Sequence, residues 1–323
     1  MRADHSLKRT RKIALVGLLL FGMMLLPAHA ADTLWLHTND VIAFVGGEDV
    51  VAMQQFGYVE LLLARETAVK KLRFRNLGWE GDTAFEQKRD LNFPSWEETL
   101  SKIGATVVVA QFGQAESLRG RETLPQFREA AEKWLRRLAG TDRRVIVLAP
   151  TPFDKPPGAL PDLTANNATL ALYSDELKEL CQANQWRFLD PWKSGFLPPT
   201  SITRDGLHLN AEGQARVALH FAAHFSELRP TPRLSRDAKT GAISHPATEQ
   251  LRQVIIAKNK LWFDYWRPQN WAFLAGDRTE QPSSRDHRDP KVRWFPSEME
   301  KFLPLIEAKE KEIAELAANL DKK

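Results

Sequence analysis

The chain has 323 residues, 43% hydrophobic and 27% charged, a globular balance that excludes collagen-like, coiled-coil and disordered classes. Its formal charge of +4 resides in residues 1–30, where Arg2, Lys8, Arg9, Arg11 and Lys12 face only Asp4. The rest is balanced in charge and offers no global field to nucleic acid or anionic membranes. One cysteine, Cys181, excludes an internal disulfide, zinc ribbons and Fe–S sites.

The first expected element is a leader. Residues 1–12 are basic, Ile13 to Leu26 is apolar, and Ala28-His29-Ala30 puts small residues at the two positions that signal peptidase reads. An uncleaved membrane anchor is the competing reading, but the apolar run is shorter than the ~20 residues of a span and Pro27 interrupts it. The expectation is an exported protein, periplasmic or extracellular, with cleavage near Ala30 and no stable membrane span afterwards.

From residue 40 to about 228, short β-branched apolar runs alternate with helical patterns, the signature of a parallel sheet with crossover helices. The expected strands are Val41–Val45, Leu72–Asn76, Thr106–Phe112, Val145–Ala149 and Arg187–Asp190. The expected helices lie near Gln54–Lys70, Leu124–Ala139, Asn167–Asn184 and Ala211–Leu228. Val107, Val108 and Val109 form the unbroken apolar run of a central strand buried on both faces. After a linker rich in Pro and Arg, a helix from about Thr248 to Trp266 precedes an irregular stretch, Arg267–Phe295. A last amphipathic helix is expected to open at Ser297 with Glu300 completing a capping box. The chain therefore divides into 1–30 (signal), 31–228 (α/β domain) and 229–323 (linker and helical extension packed on that domain, since two helices alone make too little core).

Four segments at strand ends and in a late loop carry polar groups: Phe44-Val-Gly-Gly-Glu-Asp49, Asn76-Leu-Gly-Trp-Glu-Gly-Asp-Thr83, Phe112-Gly-Gln-Ala-Glu-Ser117 and Asp205-Gly-Leu-His208-Leu-Asn. Open α/β sheets place ligands at such strand ends. In order and spacing these segments resemble the SGNH, or GDSL-type, hydrolases over roughly residues 40–228. The resemblance implies a flavodoxin-like three-layer α/β/α sandwich with a parallel five-stranded sheet, and ester hydrolysis directed at O-acyl groups on carbohydrates. It puts the nucleophile at Glu48, where the family has serine, an oxyanion N–H at Gly81, an oxyanion amide at Ala115, where the family has asparagine, and a base with its orienter at His208 and Asp205. It further implies substrate contacts at Gly47, Asp82 and Gln114; Trp271, in the aromatic-rich extension outside the resemblance, is a further candidate contact.

The two replacements bear directly on the chemistry. Histidine activates serine by removing a hydroxyl proton, and a glutamate has none to give. Loss of one oxyanion donor typically removes ~2.7–4 kcal/mol of transition-state stabilisation. Two functions stay open: an ester hydrolase, or a non-catalytic glycan- or protein-binding relative. Each residue also has a plainer reading. Asp205 and His208 can be a turn cap and a surface histidine, Asn76, Asp82 and Thr83 can tie a loop, and Glu48 and Asp49 can suit the positive end of a helix. His220 and His224, four apart on a helix, favour packing over metal ligation, and no cofactor or metal is expected. Trp262, Trp266, Trp271 and Trp294 either face sugars or anchor the irregular segment.

Export is checked by mass spectrometry of the N-terminus made in a secreting host. The expected first residue is Ala31, and intact Met1 in the membrane fraction contradicts it.

Overall fold

The computed structural model describes residues 35–193, 201–225, 235–237 and 239–320. The expected leader, most of the expected linker and the final turn expected for the helix ending at Leu228 lie outside the described residues. No helix among the described residues is long and apolar enough to cross a membrane.

The sheet contains β1 (Val41–Gly46), β2 (Arg73–Asn76), β3 (Val107–Gln111), β4 (Arg144–Leu148) and β5 (Arg187–Leu189), all parallel in the order β2-β1-β3-β4-β5. Because side chains alternate along a strand, each central strand feeds two cores. Ile42, Phe44, Val107, Val109, Ile146 and Leu148 pack on one face. Ala43, Val45, Val108, Ala110, Val145 and Val147 pack on the other. Helices on both faces complete the α/β/α sandwich: α1 (Glu48–Phe56), α2 (Tyr58–Leu62), α3 (Ala64–Lys70), α4 (Trp96–Lys102), α5 (Gln114–Ser117), α6 (Leu124–Ala139), α7 (Asn167–Ala183) and α8 (Ala211–Phe225).

Some expected boundaries are corrected. The single helix expected over Gln54–Lys70 is three, beginning earlier, at Glu48. It breaks at Gly57, whose φ of +67° closes the turn after α1, and again at Leu63. A capping box does form, but at Ser95 and Glu98 on α4, where each side chain bonds the other's backbone. Ser297 instead lies inside α11 (Trp294–Glu300), donating to the Trp294 carbonyl, so no helix starts there. Cys181 is buried on α7, which pushes its thiol up to about 12.

The extension adds α9 (Pro246–Trp266), α10 (Trp271–Leu274), α11 and α12 (Phe302–Asn319). Its placement follows from β2, an edge strand whose outward carbonyls have no neighbouring strand. Helix α9 helps to pair them: the Trp262 indole donates to Asn76 O at 2.8 Å, and Lys258 Nζ lies 3.5 Å from Phe74 O, which also accepts from the Arg75 guanidinium at 2.9 Å. Lys258 is wholly buried and pairs with Glu60 at 2.7 Å. Burial pushes Glu60 above the usual carboxylate range, and Lys258 pulls it back. Beside this pair Arg75 bonds Glu310 of α12 at 2.6 Å and lies under the Trp262 ring. Further ties run from Tyr58 to Gly241 O (2.5 Å) and from Arg252 to Phe56 O (3.1 Å).

Lys258→Met strands the Glu60 carboxylate and should cost ~3–5 kcal/mol in chemical denaturation, whereas Lys258→Met with Glu60→Leu should lose far less. A Lys258→Met variant as stable as the wild type would show that this pair does not secure α9.

Candidate active site

The ends of β1 and β3 and the loops after β2 and β4 meet the 204–209 loop around a cavity of about 230 Å³. Glu48, Gly81, Ala115 and His208 all line it, as do Gly47, Asp82 and Gln114. Gly46 closes β1 without a Cβ because one there would stand 2.6 Å from the Gln111 carbonyl of β3. Gly81 takes a φ of +81°, a turn geometry that L side chains rarely adopt.

The 204–209 loop is a self-braced turn. Asp205 Oδ1 accepts the N–H groups of Leu207 (3.0 Å) and His208 (2.8 Å), while its Oδ2 lies 2.7 Å from His208 Nδ1. Burial alone would raise the Asp205 carboxyl, but the His208 ring and these two N–H groups outweigh it and hold it at about 2. A carboxylate so held can only accept, so it fixes the proton on Nδ1 and leaves Nε2 as the basic atom. Among the described residues Nε2 has no hydrogen-bond partner, and no hydroxyl stands beside it in a nucleophile–base pair.

The rest of the crevice positions this loop. Asp49, on the first turn of α1, accepts the Leu209 N–H at 2.8 Å and the Thr151 hydroxyl at 2.6 Å. Burial pushes its carboxyl up, with Thr151 and Leu209 working against that. Gln214 of α8 donates to Asp49 O (2.9 Å), and Gln114 donates to the Thr151 and Leu207 carbonyls (3.0 and 2.9 Å). Glu116, buried, accepts from Ala84 N and Gly113 N and so ties the second strand-end loop to the third. Arg204 crosses from the late loop to Glu48 at 2.9 Å, with Asp205 at 3.7 Å.

Structural contacts occupy several of the residues singled out in the sequence. Gln114 donates its amide N–H groups to backbone carbonyls, and both carboxylate oxygens of buried Asp82 are held at 2.7 Å by Arg89, while both residues line the cavity. Asn76 ties the loop after β2, bonding Val50 O and Gly78 N. Trp271 does not line this cavity; its indole donates to Leu91 O beside a second one. Trp262 and Trp266 are buried anchors, and Trp294 is exposed. The His220 and His224 rings lie 4.4 Å apart, and no group of metal-ligating side chains occurs among the described residues. Asp49, Thr151, Arg204 and Gln214 escaped the sequence reading as site residues; the only signal was the acid following Glu48, which reads equally as a helix-end charge.

The model of the GDSL-like lipase/acylhydrolase family matches residues 46–216, which include three of the four strand-end and loop segments whole and the first from Gly46 onward. The chain belongs to that family. Among curated proteins none matches it. Among solved structures it is similar to a gut microbial diltiazem-metabolizing enzyme, with 12% identity and a TM-score of 0.57 over 90% of this chain and 96% of that one. It is also similar to a catalytic mutant of an acetylxylan esterase from Geobacillus stearothermophilus, with 16% identity and a TM-score of 0.47 over 61% of this chain and 99% of that one. At such identities the likeness is one of fold, and in the first case it extends beyond the GDSL-like region into the C-terminal helices.

Asp49→Ala leaves the Leu209 N–H and Thr151 hydroxyl unpaired and should destabilise by ~1–3 kcal/mol, while Asp49→Asn, which keeps one acceptor, should lose less. The raised Asp49 carboxyl holds its proton more tightly folded than unfolded, so its contribution falls as pH rises above the ordinary value of 3.8. Denaturation as a function of pH should accordingly show the Asn variant gaining on the wild type as pH rises through that region. A constant difference would contradict the assignment.

Proposed function

We propose that the protein is an exported ester hydrolase that removes short O-acyl groups from carbohydrates, and that His208 activates water directly instead of a protein hydroxyl. The observation that carries this reading is the Asp205–His208 pair at 2.7 Å, its Nε2 free in a cavity whose nucleophile position, by the family pattern, holds Glu48. A crevice used only for binding has no chemical need of a base held in one tautomer by a strongly acidic partner. The cavity's small volume suits a short acyl group. Its carbonyl oxygen would meet the backbone N–H of Gly81 and the start of α1, where partial positive charge favours an oxyanion. In this reading Glu48 does not attack, because its product would be a mixed anhydride, and Arg204 holds it as a neutralised wall.

A second reading, a non-catalytic binding relative, draws on Ala115, which brings no amide to the oxyanion site, and on the Arg204–Glu48 bridge, which joins the two sides of the crevice.

The two are separated by turnover of aryl acetates and acetylated sugars. Expected are slow turnover without an initial burst, no labelling by serine-directed organophosphates, survival in Glu48→Gln, and a fall of about 10²–10⁴ in His208→Ala. Wild-type protein no faster than His208→Ala establishes the binding relative. In either case Glu48→Ser with Ala115→Asn should gain burst kinetics and organophosphate labelling together, and by more than the two single changes added, because the amide acts on a transition state that only the hydroxyl reaches.

A further inference from the structure

A second cavity, of about 460 Å³, opens between the loop after β2 and the extension. Trp79 lies in its wall, while Gly81, Asp82 and Thr83 line the crevice, so the two cavities flank a single turn that the Asp82 N–H closes onto Trp79 O at 3.0 Å. The aromatic surface consists of Trp271 and Phe93, half-buried, with ring centroids 4.7 Å apart. Its orientation is set in advance: Trp271 Nε1 donates to Leu91 O at 2.8 Å, and Asn92 donates to Ala275 O at 2.8 Å across the same seam. Around it stand the exposed side chains of Asp90, Gln269 and Asp277, which have no partner among the described residues.

Flat rings rimmed by free carboxylates and an amide suit a ligand with apolar C–H faces and many hydroxyls. A cationic ligand fits less well, because the place over the Trp79 ring is taken by the protein's own Arg267, 3.8 Å from the centroid and paired with Glu80. Arg89 covers the same ring at 4.4 Å.

We infer that this cavity is a saccharide subsite that takes the neutral sugar units next to the acylated one. The inference rests on the reading of the crevice as the acyl site, since the shared turn makes the two cavities neighbours along one chain. Trp271 and Phe93 supply the stacking face, and Asp90, Gln269 and Asp277 accept from or donate to ring hydroxyls. The extension then selects the substrate while the α/β domain holds the reacting group.

The test is calorimetric titration of the full chain with neutral xylo-, manno-, cello- and chito-hexaose. At least one should bind. Trp271→Ala, and separately Asp277→Ala with Gln269→Ala, should each weaken it by about tenfold or more. The second variant changes only exposed side chains, so an unchanged melting temperature is expected and loss of fold cannot mimic loss of binding. The same titration in His208→Ala separates binding from turnover. Affinity retained there with no catalysis in the wild type upholds the subsite and refutes the hydrolase. Binding by none of the four sugars, or binding indifferent to both sets of changes, overturns the subsite, whatever the fate of the catalytic reading.

Discussion

The carbonyls of β2 that face away from the sheet have to be paired, and this requirement organises much of the molecule. A parallel sheet buried on both faces still has edges, and an edge in an apolar setting leaves backbone acceptors that cost free energy when unpaired. Here the Trp262 indole meets Asn76 O, and the Arg75 guanidinium, with the Lys258 ammonium behind it, meets Phe74 O. Placing an ammonium there calls for a buried counter-charge, which Glu60 supplies, and the neighbouring Arg75 draws in Glu310 and with it α12. The helical extension is thus bound to the α/β domain by a polar need as well as by the apolar contacts of Leu251, Ile255 and Ile313.

That docking has a bearing on the site. With α9 fixed along β2, Trp266 meets Trp79 and Phe93 edge to face, and the Trp79–Thr83 turn is braced from the side opposite the crevice. From within, Glu116, Arg89 and the backbone of β1 hold the same turn. The 204–209 loop is held by a separate web running through Asp49, Thr151 and Gln114. His208 and Gly81 therefore belong to different loops, each fastened independently to the sheet, which is how a site on irregular backbone keeps its geometry.

The sheet was legible in the sequence because its inner strands are runs of β-branched residues with no polar interruption, and the Asp205–His208 spacing was legible because both members sit in one turn. What the sequence withheld has physical reasons. Helix α4 is short and sits behind Phe93-Pro94, so its apolar period has no length in which to show, although Ser95 and Glu98 spell out its cap. The capping pattern at Ser297 is the same in letters, yet the chain is already helical there. The break at Gly57 depends on one left-handed residue inside an otherwise helical pattern. Asp49 and Gln114 position the loop through contacts 160 and 93 residues away, and nothing local distinguishes such an acid from a helix-end charge or such an amide from a ligand contact.

The closure of β2 by α9 also sets a constraint in time. The donor on Trp262 lies 186 residues beyond the carbonyl it serves, and Lys258 lies 198 beyond Glu60. A chain emerging from its N-terminus can assemble β1, β2 and β3 long before α9 exists, and during that interval β2 is an uncovered strand edge of the kind that other chains add to. Contacts of such sequence separation also form late and slowly. At the far side β5 has only three residues and begins with exposed Arg187, an edge blunted by its own brevity and charge. The two edges are therefore protected on different schedules: β5 as soon as it is made, and β2 only when nearly the whole polypeptide is available to fold.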